Sequence, residues 1–266
     1  MEMKRRLEKK VAIVTGAGAR GSGIGNGRAA AILFAREGAK VLLVDLDTKA
    51  AEGTLDMIQK EGGEAEVFTG DVTKAADCRA MVERAVSLWG RLDILDNNVG
   101  IGGPKCSVLE VSEEDWDRIM TINVKSMMLT SKFAIPAMIA GGGGSIIMIS
   151  SISALRPRGL TTYSTSKGAV IALTQAMAID HGKDGIRVNC IVPGPMYTPQ
   201  VYTRGMSEEA RERRRHSSPL DIEGTGWDIG NAAVFLASEE ARYITGIIML
   251  VDGGVAITSP PRDWRG

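Results

Sequence analysis

Residues 11–25 read VAIVTGAGARGSGIG, and their reading decides that of the rest of the chain. Val11-Ala12-Ile13-Val14 is a short buried-strand run. An apolar helical segment follows from residue 25 to residue 36. Between them lies a loop dominated by glycine. Glycine lets a backbone turn sharply and approach a pyrophosphate, which then rests at the N-terminus of the next helix. Two registers compete. Gly16, Gly18 and Gly21 satisfy G-x-G-x-x-G literally, but this register starts the helix near Arg20. It buries Gly21, Gly23, Gly25 and Gly27 inside that helix, at about 1 kcal/mol each relative to alanine. The other register starts the helix at Ile24-Gly25, where the apolar segment begins, and is preferred. It sets Gly16, Arg20, Gly23, Ile24 and Gly25 against a dinucleotide.

The alternation continues outward from this loop. Short apolar runs at residues 40–44, 65–68, 92–95, 145–149, 187–192 and 247–251 read as strands. Residues 48–60, 75–89, 113–140, 163–178 and 228–237 read as helices. Strands separated by helices argue for parallel βαβ units. Continuous apolar strands argue for a sheet covered on both faces. The expected fold is α/β: a single Rossmann-like domain, doubly wound, with a parallel sheet between helices and no linker anywhere in the chain. Residues 196–226 are polar and arginine-rich without a clear period, and read as a mobile substrate flap. The tail from Ser259 reads as irregular.

Composition narrows the function. The chain has 266 residues, 44% hydrophobic and 24% charged, with zero formal net charge. A balanced charge speaks against nucleic acid or an anionic membrane as partner, since both reward a basic excess. The one basic cluster, Arg211, Arg213, Arg214 and Arg215, follows Glu208 and Glu209 and reads as a solvated helix face. Cys78, Cys106 and Cys190 have no pairing or metal spacing and suit a reducing compartment. No apolar stretch is long enough to span a bilayer. A cytoplasmic protein is expected, without metal; His181 and His216 read as surface histidines.

Two further features carry chemistry. Asp45 ends the second strand, 20 residues beyond Gly25. An acid there accepts hydrogen bonds from the ribose hydroxyls of NAD and repels the 2′-phosphate of NADP. NAD is the expected cofactor; Arg20 is the counter-signal for NADP. Tyr163 and Lys167 stand four apart at the head of a helix, so the two side chains share a face. A phenol ionises near pH ~10, and a nearby cation favours its phenolate.

Together the loop, Asp45 and Tyr163-x3-Lys167 resemble the short-chain dehydrogenase/reductase family, over nearly the whole chain. Gly70-Asp71-Val72 resembles the family segment that binds the adenine. Asn97-Asn98-Val99-Gly100 resembles its Asn-Asn-Ala-Gly motif, and Pro193-Gly194 through Thr198 the loop that holds the nicotinamide carboxamide. Thr121-Ile122-Asn123 falls where the family has a catalytic asparagine, and Ile149-Ser150-Ser151 at its strand-end serines. Tyr243-Ile244-Thr245-Gly246 and Val251-Asp252-Gly253-Gly254 resemble its C-terminal signature.

The resemblance implies an alcohol dehydrogenase or carbonyl reductase that interconverts a secondary alcohol and a ketone, assembled as a homotetramer. In it Tyr163 is the general base or acid and Lys167 supports the phenolate and contacts the nicotinamide ribose. Ser151 bonds the substrate oxygen, and Asn123 binds a water linking Lys167 to solvent. An NADPH-dependent ketoacyl-thioester reductase is the enzymatic alternative, and a non-catalytic dinucleotide sensor the other. The substrate is expected to meet residues 196–226, 101–107 and 155–160. Three departures stand out. The glycine-rich loop holds three extra residues between Gly16 and Gly23. Asp96 occupies a core-strand position that is usually apolar, where a charge needs a partner. Counting 13 residues back from Tyr163 gives Ser150, whereas aligning the serine pair gives Ser151, which is preferred.

Overall fold

The structure is a computed structural model, describing residues 5–258 apart from Arg20, Ser22 and Arg204. The Arg20 and Ser259 readings therefore lie outside the described residues. Seven strands of these residues form one parallel sheet in the order β3-β2-β1-β4-β5-β6-β7. They are β1 (Val11–Thr15), β2 (Lys40–Asp45), β3 (Ala65–Thr69), β4 (Ile94–Asn97), β5 (Gly144–Ile149), β6 (Ile186–Pro193) and β7 (Ile248–Val251). The helices are α1 (Asn26–Arg36), α2 (Thr48–Lys60), α3 (Ala75–Trp89), α4 (Glu113–Met120), α5 (Ser126–Ala140), α6 (Thr161–His181), α7 (Pro199–Tyr202), α8 (Glu208–Arg215) and α9 (Gly226–Ala237).

Side chains along a strand alternate between faces, and both faces here are apolar. Val11 and Ile13 of β1 join Leu42, Leu95, Ile146 and Met148 in one core. Ala12 and Val14 join Leu43, Ile94 and Ile147 in the other, beneath α1 and α9. The order of strands reverses between β1 and β4, where a doubly wound sheet opens a crevice at its carboxyl edge. Asp45, the end of β4, the serine pair after β5 and Pro193 all reach that edge.

Two elements differ from the sequence reading. The helix expected over residues 113–140 is interrupted by a π turn, Thr121–Lys125, which carries the buried Asn123. Residues 196–226 contain α8, which the absence of an apolar period concealed. Its sequence EEARERRR has no hydrophobic stripe. Ser207 caps it, and ion pairs hold it: Arg213 to Glu209, Arg215 to Glu212, and a two-pronged Arg211–Glu223 contact at 2.6 and 2.8 Å. The basic cluster is thus largely paired on a helix face. No helix of the described residues is long and apolar enough to cross a membrane.

Candidate active site

Helix α1 begins at Asn26, with Gly25 as its N-cap and no side chain capping it. The helix thus starts just past the Ile24-Gly25 start of the preferred register and well beyond Arg20, where the literal register put it. Uncapped N–H groups and the helix dipole make such an end suited to an anion. Gly16 takes a left-handed backbone, φ +66°. A Cβ at Gly27 would overlap the Gly16 carbonyl oxygen, so the first turn of α1 packs directly under the loop. Gly27→Ala is expected to cost about 2 kcal/mol of stability, as overpacking typically does, and to weaken cofactor binding. Urea denaturation with and without NADH checks it.

The cleft at this point has a volume of about 310 Å³ and is lined by Gly16, Gly25, Asn98, Gly100 and Thr198 among others. Gly18, Gly27 and Gln200 also line it, though the sequence reading left them out; the literal G-x-G register would have recovered Gly18. Gln200 Nε2 spans the cleft to donate to the Gly100 carbonyl at 3.2 Å. Gly23 lies under α7, close to Pro199 and Tyr202. Asp45 accepts the Gly18 N–H at 2.9 Å and the Asp47 N–H at 3.0 Å, which aims its carboxylate at the loop. Asp71, after β3, accepts from the Thr73 hydroxyl and N–H, and these bonds hold its carboxyl below the usual range. Val72 beside it is buried. Gly194 packs against the Asp252 backbone, and Thr198 is the N-cap of α7.

The proton-handling residues converge on the same edge. Ser150 is buried and donates to the Lys167 carbonyl at 2.7 Å, so its hydroxyl is occupied. Ser151 is less buried, and its hydroxyl draws the Tyr163 pKa down while burial raises it. Of the two serines, Ser151 is the neighbour of Tyr163. Burial is the larger influence, so the phenol lies above its ordinary pKa. Lys167, 3% exposed, donates from Nζ to the Ile149 carbonyl at 2.9 Å. Its Nζ stands 5.9 Å from the Tyr163 ring centre, and burial lowers its pKa to about 8. The lysine does not bring the phenol below its ordinary range. The π turn places Asn123 so that its Oδ1 accepts from the Ile101 N–H at 2.8 Å. Its Nδ2 donates to the Ile101 carbonyl at 2.9 Å and to Ser166 Oγ at 3.0 Å.

Asn97 and Asn98 divide labour. Asn97 ties β4 to α5, accepting from Thr130 at 2.7 Å, whereas both polar atoms of the Asn98 side chain have no partner. Neither carboxyl oxygen of Asp96 has a partner either, and complete burial pushes its pKa up to about 7. The partner that a charge in this strand needs is absent among the described residues; burial favours the neutral acid instead. Within residues 196–226, the Arg214 Nε is unpartnered, and burial and nearby Arg158 lower the guanidinium's pKa. No group of three or more metal-ligating side chains occurs among the described residues.

A parallel doubly wound sheet with a glycine-rich loop at its crevice, and a serine, tyrosine and lysine beside it, defines a dinucleotide-dependent oxidoreductase scaffold. Comparison with known proteins agrees. Residues 18–256 match the family model described as enoyl-(acyl carrier protein) reductase. The 2-(S)-hydroxypropyl-CoM dehydrogenase 3 of Xanthobacter autotrophicus is 40% identical over 260 residues, spanning 95% of this chain and 99% of the relative. The 2,5-dichloro-2,5-cyclohexadiene-1,4-diol dehydrogenase of Sphingobium indicum is 38% identical, spanning 96% and 99%. A structure of 7 alpha-hydroxysteroid dehydrogenase complexed with NADH and 7-oxo glycochenodeoxycholic acid superposes with a TM-score of 0.87 at 37% identity, covering 94% of this chain and 96% of that one. The chain belongs to the short-chain dehydrogenase/reductase family.

Proposed function

We propose that this protein is an NAD-dependent oxidoreductase that interconverts a secondary alcohol and a ketone, with Tyr163 moving the hydroxyl proton. The observation that carries the reading is the meeting of Ser151, Tyr163 and Lys167 at the sheet edge that also bears the uncapped helix α1 and Asp45. NAD, when bound, supplies the hydride acceptor or donor. Gly16, Gly23, Ile24 and Gly25 would hold its pyrophosphate, Asp45 its adenosine ribose, and Asp71 with Val72 its adenine. Asn98, Gly100, Pro193, Gly194 and Thr198 would border the nicotinamide half. A Cβ at Gly100 would stand 2.9 Å from Lys167 Nζ, which puts the ammonium at the floor of that half.

The residues of the chain then share the proton work. The raised phenol pKa keeps the proton on Tyr163 Oη, ready for delivery to a ketone oxygen held by the Ser151 hydroxyl. In the oxidative direction the phenolate takes the alcohol proton, and the Lys167 ammonium is the charge that supports it. A lysine pKa near 8 leaves that charge largely in place at neutral pH. Both Nδ2 hydrogens of Asn123 are taken, whereas Oδ1 accepts one bond and keeps a second lone pair with which a water relay from Lys167 would be met.

Asp45 supports NAD over NADP, and this weighs against the NADPH-dependent thioester reductase. The intact Ser151, Tyr163 and Lys167 weigh against a non-catalytic sensor. The relatives named above act on ring or small secondary alcohols according to their names, which favours that substrate class. Exposed Leu250 of β7, with exposed Tyr243 before it and Ile257 after it, supports self-association in a homotetramer. The activity is tested with a panel of cyclic and acyclic secondary alcohols, following nicotinamide absorbance with NAD and NADP in turn. Turnover with none of them, or with NADP alone, overturns the reading. Asp45→Ala is expected to lower the ratio of kcat/KM for NAD to that for NADP by about tenfold, equivalent to ~1.4 kcal/mol. An unchanged ratio removes Asp45 from cofactor selection.

A further inference from the structure

Arg28 is 1% exposed and is the third residue of α1, in its first turn under the glycine-rich loop. A guanidinium has five N–H donors, and here all five have acceptors. Nε donates to Thr54 Oγ1 at 3.0 Å. One terminal nitrogen donates to the carbonyls of Gly21 at 2.9 Å and Gly23 at 2.8 Å. The other donates to the carbonyls of Ala19 at 3.2 Å and Ala50 at 3.0 Å. Thr54 in turn donates to the Ala17 carbonyl at 2.7 Å. One side chain, with its threonine relay, thus fastens four loop carbonyls and the start of α2.

The stretch fastened is the one lengthened by three residues relative to the family pattern. A longer loop has more conformations to lose before it can hold a ligand, and needs something to fix it. In a trans peptide the N–H points opposite to the preceding carbonyl. With the Gly23 carbonyl turned in to Arg28, the Ile24 N–H is turned away from it, at the mouth of α1. Burial lowers the pKa of the Arg28 guanidinium, and the nearby Asp45 carboxylate works in the opposite direction, supporting its charge beneath the loop. Having no donor to spare, Arg28 cannot itself bind the phosphate.

We infer that Arg28 is the positioning residue that holds the enlarged glycine-rich loop in its pyrophosphate-binding form. The inference rests on the dinucleotide reading above. It also sets a chemical requirement: a lysine keeps the charge but cannot bridge five acceptors from one planar fork.

The test compares Arg28→Lys and Thr54→Val with the unaltered protein. NADH affinity is read by fluorescence titration, cofactor KM and kcat by steady-state kinetics, and Tm by calorimetry. Arg28→Lys is expected to raise the Kd for NADH and the cofactor KM about tenfold or more, with kcat at saturating NAD falling no more than about threefold. Thr54→Val, which removes one acceptor and the relay to Ala17, is expected to raise Kd about threefold. It decides the matter if Arg28→Lys fails to fold. A lowered Tm with Kd unchanged in the folded variants would show a purely structural arginine and overturn the inference. If the unaltered protein fails to bind NADH, it is the cofactor reading that falls.

Discussion

Tyr163→Phe is expected to lower kcat by about a thousandfold while the Kd for NADH changes by less than about threefold. The substitution removes a single atom, the Oη that we propose carries the transferred proton. The ring remains in α6 and keeps its place 5.9 Å from Lys167 Nζ. A positioned acid or base contributes roughly 10²–10⁴ to such a step, and a thousandfold corresponds to ~4 kcal/mol of barrier. In the proposed reading the cofactor contacts would lie mainly on the glycine-rich loop, Asp45 and the 193–198 segment, so the phenol hydroxyl would not be needed for them. Single-turnover absorbance gives the rate and fluorescence titration the affinity. A variant that retains a tenth or more of the original kcat would remove Tyr163 from the proton path. Parallel loss of NADH binding would instead place the hydroxyl in the cofactor site.

Much of this arrangement is legible from residue order. The βαβ alternation follows from apolar runs of the right lengths, and each expected strand is found within two residues of its predicted ends. The register of the glycine-rich loop follows from the energetic cost of glycine inside a helix, and α1 begins where that cost predicts. Asp45 stands out because strand, loop and acid have fixed spacing. The features that stayed hidden share a physical reason: they depend on contacts between distant segments. Asn123 falls on a π turn because its amide reaches Ile101 and Ser166, which no local pattern records. Helix α8 is polar on every side and leaves no period to find. Arg28 reads as an ordinary helical arginine until the carbonyls of residues 19, 21 and 23 are folded around it. The choice between Ser150 and Ser151 turns on which hydroxyl the Lys167 carbonyl occupies, a fact of packing between β5 and α6.

Asp96 carries the other large prediction, and its sign follows from burial. In β4 it pairs in register with Val14 and Ile147, among apolar side chains. The Asn98 amide draws its pKa down slightly without making a hydrogen bond of ordinary geometry, and burial dominates, giving a value of about 7. An unfolded aspartate titrates near ~3.9. Below about pH 4 both forms hold the proton, and the residue makes stability neither rise nor fall with pH. Between about 4 and 7 the unfolded chain ionises while the folded chain keeps its proton, so stability falls as pH rises. Above about 7 the loss is complete. Three pKa units correspond to ~4 kcal/mol, an upper bound for a protein that relaxes around the charge. Asp96→Asn keeps the shape and cannot ionise. Its stability advantage over the unaltered protein is therefore expected to grow by a few kcal/mol between pH 4 and pH 8, beyond any constant offset from an amide with no partner. Urea unfolding of both proteins across that range measures the difference directly. A difference that stays flat with pH would mean that the carboxyl is hydrated or paired in solution and that the strand tolerates its charge.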